Sequence, residues 1–409
     1  MRITIIALGS RGDVQPYAVL GKGLVAVGHS VSFVTTENFT PLLNSYGLRS
    51  EPLPGDAERV VKDAGANMAA LSRAFNRIAA GIIDHAERII PTIAEADLIL
   101  NQLPLGAYGL DIAEKFGVPM WLVATIPLVP TSAFPMMGWP AAFARIPGYN
   151  RLSYRISELM GWLLLRPYLQ RWRKDVLGLP KLSSQRYLQQ LHQIPVLHGF
   201  SKHVVPPPPD WPPNVYTTSN WFEPQPNWQP PDELMRFIDG GSPPVYIGFG
   251  SMPIPSPQDT TQIILRALEQ AGQRAILHAG WGSLGMTSLP DSVHPIEYAP
   301  YDWLFPRMSA LVHHGGSGTT AAGLSSGIPA LVVPILFDQY FWGQRIAELG
   351  TGPHPIPFKK LTAQSLADAI RTMTIENDMR VRAAGLGEKL RREDGLQAAV
   401  KMISQPHAP

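Results

Sequence analysis

The chain writes the same alternation twice, a short apolar run followed by a helical pattern, with a proline-dense segment between the two series. In the first series Arg2–Leu8 and Val31–Thr35 are β-branched runs of the kind that parallel strands bury on both faces. A helical pattern starts near Val14 between them, with Pro16 tolerated in its first turn and Gly28 past its end. Strand, helix and strand within about 35 residues is the βαβ unit. Leu98–Asn101, Pro119–Thr125 and Pro195–Gly199 read as further strands, Asn67–Ala96 and Tyr154–Leu177 as helices. The segment from Val205 to Pro244 holds Pro206-Pro207-Pro208-Pro209 and three further proline pairs, which favour stiff extended chain. Part of it reads as a linker, although Asn214–Thr218 can be a last strand of the first series.

The second series has strands at Val245–Phe249, Ala275–Ala279, Ala310–His313 and Ala330–Pro334. Helical patterns at Gln258–Ala271, Thr319–Ser326 and Tyr340–Leu349 alternate with them. A final helical stretch covers Glu376–Ile403. The expected fold is therefore α/β, with two doubly wound Rossmann-like domains facing a cleft. The expected divisions are an acceptor-binding domain over 1–220, a linker over 221–243, a donor-binding domain over 244–385 and a C-terminal helix over 386–409 that can return to the first domain.

Composition removes several function classes. Hydrophobic residues make up 45% and charged residues 16% of 409, enough apolar content for substantial cores. A net charge of +2 with no cationic run gives no footprint for nucleic acid. The most basic segment, Arg166 to Lys174, reads as a solvated helix face. With no cysteine there is no disulfide, thiolate zinc site or cysteine nucleophile, and a cytoplasmic location is expected. The N-terminus does not read as a signal peptide. No apolar run reaches the roughly 18 residues that span a bilayer, and Ile156–Leu169, the nearest approach, is interrupted by Glu158 and Arg166. Peripheral membrane contact stays open.

The most informative motif follows the strand at Ala310: His313-His314-Gly315-Gly316-Ser317-Gly318-Thr319-Thr320. Small residues let backbone approach an anion, and the amides, hydroxyls and dipole of a helix start attract it. His313, Gly316, Ser317, Gly318 and Thr319 are candidate contacts for a phosphate or diphosphate. Gly9-Ser10-Arg11-Gly12-Asp13 is the matching turn of the first half and lacks dinucleotide-fingerprint spacing. Asp13 there can serve as a general base or merely cap the helix, and its spacing leaves both open. Ser251, after Phe249-Gly250, can add a hydroxyl to a phosphate. Asp338 and Gln339, after the strand at Ala330, suit the vicinal hydroxyls of a sugar. Trp303, after a strand-like Ile296–Ala299, can stack on a nucleobase or pack in the core. The proline-rich loop from Pro127 to Pro147 carries Phe134, Met136, Met137 and Trp139, a greasy surface for an acceptor or a cover for the core. No D-x-D, H-E-x-x-H or G-x-S-x-G appears, so neither a metal site nor a serine hydrolase is expected.

These motifs resemble, over nearly the full length, the nucleotide-sugar-dependent glycosyltransferases of the GT-B fold, in the branch of antibiotic glycosyltransferases and sterol 3-beta-glucosyltransferases. The resemblance is carried by Gly9–Pro16, by Ala299-Pro300-Tyr301-Asp302-Trp303-Leu304-Phe305-Pro306, and by His313–Thr320 with Asp338-Gln339. It implies a metal-independent, inverting transfer of a sugar, glucose from UDP-glucose or a sugar from a dTDP donor, to a hydroxyl of a lipophilic small molecule. It assigns Asp13 as base, Ser10 to the donor side, His313, Ser317, Gly318, Thr319 and Ser251 to the diphosphate, Asp338 and Gln339 to the sugar, and Trp303 to the uracil or thymine. Two departures stand out. Plant relatives place a His–Asp dyad near the N-terminus, whereas Asp13 stands here with no His close in sequence, and a counterpart of the long N-terminal targeting domain of fungal sterol enzymes is not expected. A nucleotide-sugar epimerase of the same fold and an inactive partner of another transferase are the alternatives.

Overall fold

The computed structural model describes residues 1–56, 59–60, 73, 77–78, 80–102, 107–225, 227–250, 254, 256–278 and 289–405. It divides into two compact units, one of residues 1–202, 206–222 and 394–409, the other of residues 203–205 and 223–393.

Unit 1 is built on a seven-stranded sheet in the order β3-β2-β1-β4-β5-β6-β7. Its strands are β1 (Arg2–Ile6), β2 (Ser30–Thr36), β3 (Arg49–Leu53), β4 (Leu98–Asn101), β5 (Met120–Ala124), β6 (Val196–His198) and β7 (Val215–Thr217). Every pairing is parallel; Ile5 lies opposite Phe33 on one side and Leu100 on the other. The chain leaves β1 for β2 on one side and returns to β4 on the other. The carboxyl ends of β1 and β4 therefore flank a topological switch point, where doubly wound folds open a crevice. β3 had no clear sequence signal, because an edge strand of Arg49, Ser50, Glu51 and Pro52 lacks the apolar run of an inner strand.

Unit 2 has five parallel strands in the order β10-β9-β8-β11-β12. They are β8 (Val245–Gly248), β9 (Ala275–His278), β10 (Val293–Ile296), β11 (Ala310–His313) and β12 (Ala330–Val332). Its switch point lies between β8 and β11. Side chains from Ile247, Leu277 and Leu331 pack with Ile264 and Ile370 from helices.

Several elements differ from the sequence reading. The first helix spans Arg11–Ala26 with Ser10 as its N-cap, so Pro16 falls inside it rather than in its first turn. The helix at 149 begins five residues before the expected Tyr154 and runs Tyr149–Arg171. The basic stretch that follows is not wholly solvated: Arg173 is fully buried, donating to Asp111 and, at 2.9 Å, to Glu114. Within 221–243, expected as linker, Asp232–Asp239 is a helix with Asp232 and Glu233 in its first turn. The stretch read as one helix from Glu376 is two, Asn377–Arg391 and Gly395–Ser404, divided where Asp394 accepts from the Gln397 N–H at 2.9 Å. Two glycines fix the second helix on unit 1: a Cβ on Gly23 would lie 3.0 Å from Leu396 and Val400, and one on Gly395 would lie 2.5 Å from the Asn220 carbonyl. Val400 and Ile403 are buried with Ile5 and Leu20, each such side chain stabilising by about 1.5–3 kcal/mol. No helix among the described residues is long and apolar enough to cross a membrane.

Candidate active site

β1 delivers the chain into a turn that only glycine can make. Gly9 has φ +142°, and a Cβ there would lie 2.5 Å from Asp13 Oδ2. The turn ends at Ser10, whose N–H and hydroxyl each donate to Asp13 Oδ2 at 2.8 Å. Asp13 is thus not the N-cap but the third residue of the helix, returning a bond to the cap residue. Its other oxygen, Oδ1, accepts from the Gln102 amide at 3.2 Å. Gln102 follows β4, and its own carbonyl accepts from the Leu8 N–H at 2.9 Å. Donors from both sides of the switch point therefore fix one carboxylate. Burial of its surroundings raises the Asp13 pKa above the ordinary carboxylate value, while the Ser10 and Gln102 bonds pull it back. A half-buried carboxylate with raised basicity and a fixed orientation can take a proton from a hydroxyl. Gln102 was not singled out from sequence; its only signal is a polar residue directly after an apolar strand.

The second turn leaves β11. His313 is fully buried, and its Nδ1 accepts from the Gly315 N–H at 3.0 Å, which leaves the proton on Nε2. That Nε2 has no hydrogen-bond partner among the described residues. His314 is half-buried and occupies a slot between two glycines. A Cβ on Gly250 would lie 2.8 Å from its Cε1, and one on Gly316 would lie 2.5 Å from its Nε2. Burial lowers the pKa of His313 to about 3 and of His314 to about 4, so both rings are neutral donors at pH 7. Gly316 is the N-cap of the Ser317–Ser326 helix. The first amides of that helix, at Ser317, Gly318 and Thr319, have no intrahelical acceptor by construction. His314 belongs to the motif read from sequence but not to the residues singled out there, because its slot needs Gly250, in the turn after β8. Ser251, next in chain, lies outside the described residues.

Gly315, at φ +92°, brings a further segment against this turn: a Cβ there would lie 3.0 Å from the Gln339 carbonyl. Asp338 and Gln339 open the Asp338–Glu348 helix. Gln339 is buried, and its Oε1 accepts from the N–H groups of Ile335 at 2.7 Å and Leu336 at 3.0 Å, which leaves Nε2 as its donor group. Asp338 is half-buried, and Phe337 before it is exposed with φ +37°, a strained conformation for an aromatic residue. β10 ends at Ile296, earlier than the strand-like stretch expected through Ala299, and Trp303 lies on the short Tyr301–Leu304 helix. That helix packs on the Ser317–Ser326 helix. The Trp303 ring meets Trp228 edge-on at 4.9 Å and carries the Arg307 guanidinium 4.3 Å from its centroid.

The loop of Phe134, Met136, Met137 and Trp139 is irregular apart from a single turn at Ala141–Phe143. All four side chains are half-buried. The loop is tied to one face of the Tyr149–Arg171 helix. Asn150 donates to the Ser132 carbonyl at 2.8 Å, Ser153 accepts from the Met136 N–H at 2.8 Å, and Ser157 accepts from the Trp139 indole at 2.8 Å. Asp210 pins its start, accepting from Thr131 at 2.6 Å, from the Ser132 N–H and hydroxyl at 2.8 Å, and from Arg151 at 3.0 Å. Among the described residues no cluster of His, Asp and Glu could hold a metal ion.

Comparison with known proteins follows the same division. Residues 3–135 match the glycosyltransferase family 28 N-terminal domain, and residues 263–401 match the erythromycin biosynthesis protein CIII-like C-terminal domain. The crystal structure of the kitacinnamycin glycosyltransferase superimposes with a TM-score of 0.72 at 19% identity, covering 98% of each chain. The spinosyn forosaminyltransferase does so with 0.69 at 16%, again covering 98% of each. These likenesses define the GT-B fold. A sterol 3-beta-glucosyltransferase of Arabidopsis thaliana is 38% identical over 100% of this chain and 68% of its own length. One from Emericella nidulans is 35% identical over 98% of this chain and 30% of its own. The chain belongs to the sterol 3-beta-glucosyltransferase family of glycosyltransferases.

Proposed function

We propose that the chain transfers glucose from UDP-glucose to a hydroxyl of a lipophilic acceptor, with sterols the first class to test, by a single inverting displacement that needs no metal. The acceptor O–H gives its proton to Asp13 as its oxygen forms a bond to the anomeric carbon. The bond from that carbon to the diphosphate oxygen breaks on the opposite face, and the diphosphate leaves with the electron pair. The developing charge is met by the helix-start amides of Ser317, Gly318 and Thr319, by the helix dipole, and by a neutral histidine N–H. Of the two histidines, His314 supports that role better than His313, since His314 lies between the Gly250 and Gly316 turns while His313 is turned inward. Asp338 and the Gln339 amide hold sugar hydroxyls, Ser251 and Ser10 supply donor contacts, and Trp303 flanks the base. Phe134, Met136, Met137 and Trp139 line the acceptor side. A Streptomyces glycosyltransferase of 20% identity and TM-score 0.65 was solved with thymidine diphosphate, so dTDP-sugars belong in the test.

The observation that carries this reading is the Asp13 carboxylate, held by Ser10 and Gln102 at the switch point of the first sheet. A donor-by-acceptor screen of the purified chain, with and without EDTA and read by mass spectrometry, tests it. One added hexose on a sterol or related alcohol, unaffected by EDTA, is the expected result. Conversion of nucleotide sugar without any acceptor product would favour the epimerase instead.

A further inference from the structure

The Tyr149–Arg171 helix is apolar on two faces, and among the described residues only one of them is covered. Tyr154, Trp162, Leu165 and Leu169 are buried inward. On the outer side Leu152, Leu159 and Leu163 recur at helical spacing, with Met160 beside them. They stay open to solvent: Leu152 is 52% exposed, Met160 63% and Leu163 56%. Phe143 and Ile146, in the loop just before the helix, are also exposed. A helix that is hydrophobic all round is normally enclosed, and a continuous exposed tract of this kind marks a contact surface.

The exposed charges of the helix itself are cationic. Arg145, Arg155 and Arg166 are exposed along the tract, while Arg151, also exposed, is paired with Asp210 at 3.0 Å. The helix's one carboxylate, Glu158, is mostly buried and bonded to His192 at 2.8 Å. Apolar side chains at the centre with long cations at the rim match an interface between acyl chains and anionic headgroups, where arginine stems lie along apolar surface and guanidinium groups reach phosphate. We infer that this face docks on an anionic lipid bilayer, with Phe143, Ile146, Leu152, Leu159, Met160 and Leu163 at the headgroup boundary. Resting on the function proposed above, the docking has a purpose: the adjoining face of the same helix, one turn or two from Met160, holds Met136 and Trp139 through Ser153 and Ser157. A bilayer-dissolved acceptor would then meet the acceptor loop without crossing water.

Sedimentation of the full chain with phosphatidylcholine vesicles, with and without phosphatidylglycerol, tests this. The chain should bind the anionic vesicles at least tenfold more tightly than the neutral ones, and lose most of that preference in high salt. The Leu159→Glu/Leu163→Glu double variant should lose at least tenfold in vesicle affinity at an unchanged Tm, since both side chains are exposed. Arg155→Gln/Arg166→Gln should lose on the order of 20-fold for anionic vesicles only. Absence of vesicle binding, or equal binding by the double Glu variant, overturns the proposal. So does a dimer that the same Glu substitutions dissolve while vesicles are ignored, which would make the face a contact between copies. Turnover of detergent-dispersed acceptor is read separately; its absence beside intact vesicle binding would remove the proposed function and leave the docking standing.

Discussion

Ser10 gives both of its donors, the backbone N–H and the hydroxyl, to a single oxygen of Asp13, each at 2.8 Å. These bonds favour the ionised carboxylate and oppose the burial that raises its pKa. Ser10→Ala removes the hydroxyl and so shifts the Asp13 pKa further up. A base must be ionised to act, so the acid limb of kcat/KM should move to higher pH in this variant. A pH–rate profile superimposable on wild type would remove Ser10 from control of the base.

Asp13 also makes a stability prediction. Its pKa is higher folded than unfolded, so its favourable contribution is complete below the unfolded value of about 4 and is lost as pH rises through the folded value. At pH 7 the charged group is a cost. Asp13→Asn keeps an acceptor for the Ser10 N–H and sheds that charge. Its Tm should exceed wild type at pH 7 and the advantage should vanish near pH 3, which thermal melts at the two pH values would show. An Asn variant less stable at pH 7 would mean the charge is a net asset to the helix start.

The two histidines of the turn proposed to hold the donor should separate. His314→Ala should weaken nucleoside diphosphate binding by about tenfold or more, the loss of one charge-assisted hydrogen bond. His313→Ala should act mainly on stability, lowering the Tm through the cavity it leaves. Calorimetry with UDP, beside thermal melts, distinguishes them. Unchanged UDP affinity in His314→Ala would return the donor role to His313.

Asp210 fixes the loop proposed to line the acceptor side, through Thr131, Ser132 and Arg151. Asp210→Ala should raise the acceptor KM by about tenfold, roughly 1.4 kcal/mol, with the UDP affinity left as it was. Equal changes in both would show that the loop does not belong to the acceptor side alone.

The parts of this molecule that could be read in sequence are those where local pattern and final environment agree. Ile3, Ile5 and Ile6 announce an inner strand because both faces of β1 are buried. The turn at His313–Thr320 is visible because its glycines and hydroxyls are contiguous. What was missed depends on long-range geometry. Gln102 matters because β4 pairs with β1 rather than with β3, its nearest strand earlier in the chain. The His314 slot needs Gly250 from the other side of the second switch point. Sequence places the start of the first helix three residues late, because Arg11-Gly12 reads as loop unless Ser10 and Asp13 close on each other. The exposed apolar face at Leu152 and Leu163 was invisible for a different reason: sequence shows two apolar faces but not which one the chain covers.

Asp13 is proposed to take the acceptor proton. Single-turnover transfer from UDP-glucose by Asp13→Asn, with UDP affinity measured on the same sample, tests it most directly. Transfer should fall at least about a thousandfold, at wild-type UDP affinity and with a folded, no less stable protein. Near-normal transfer by that variant would contradict it.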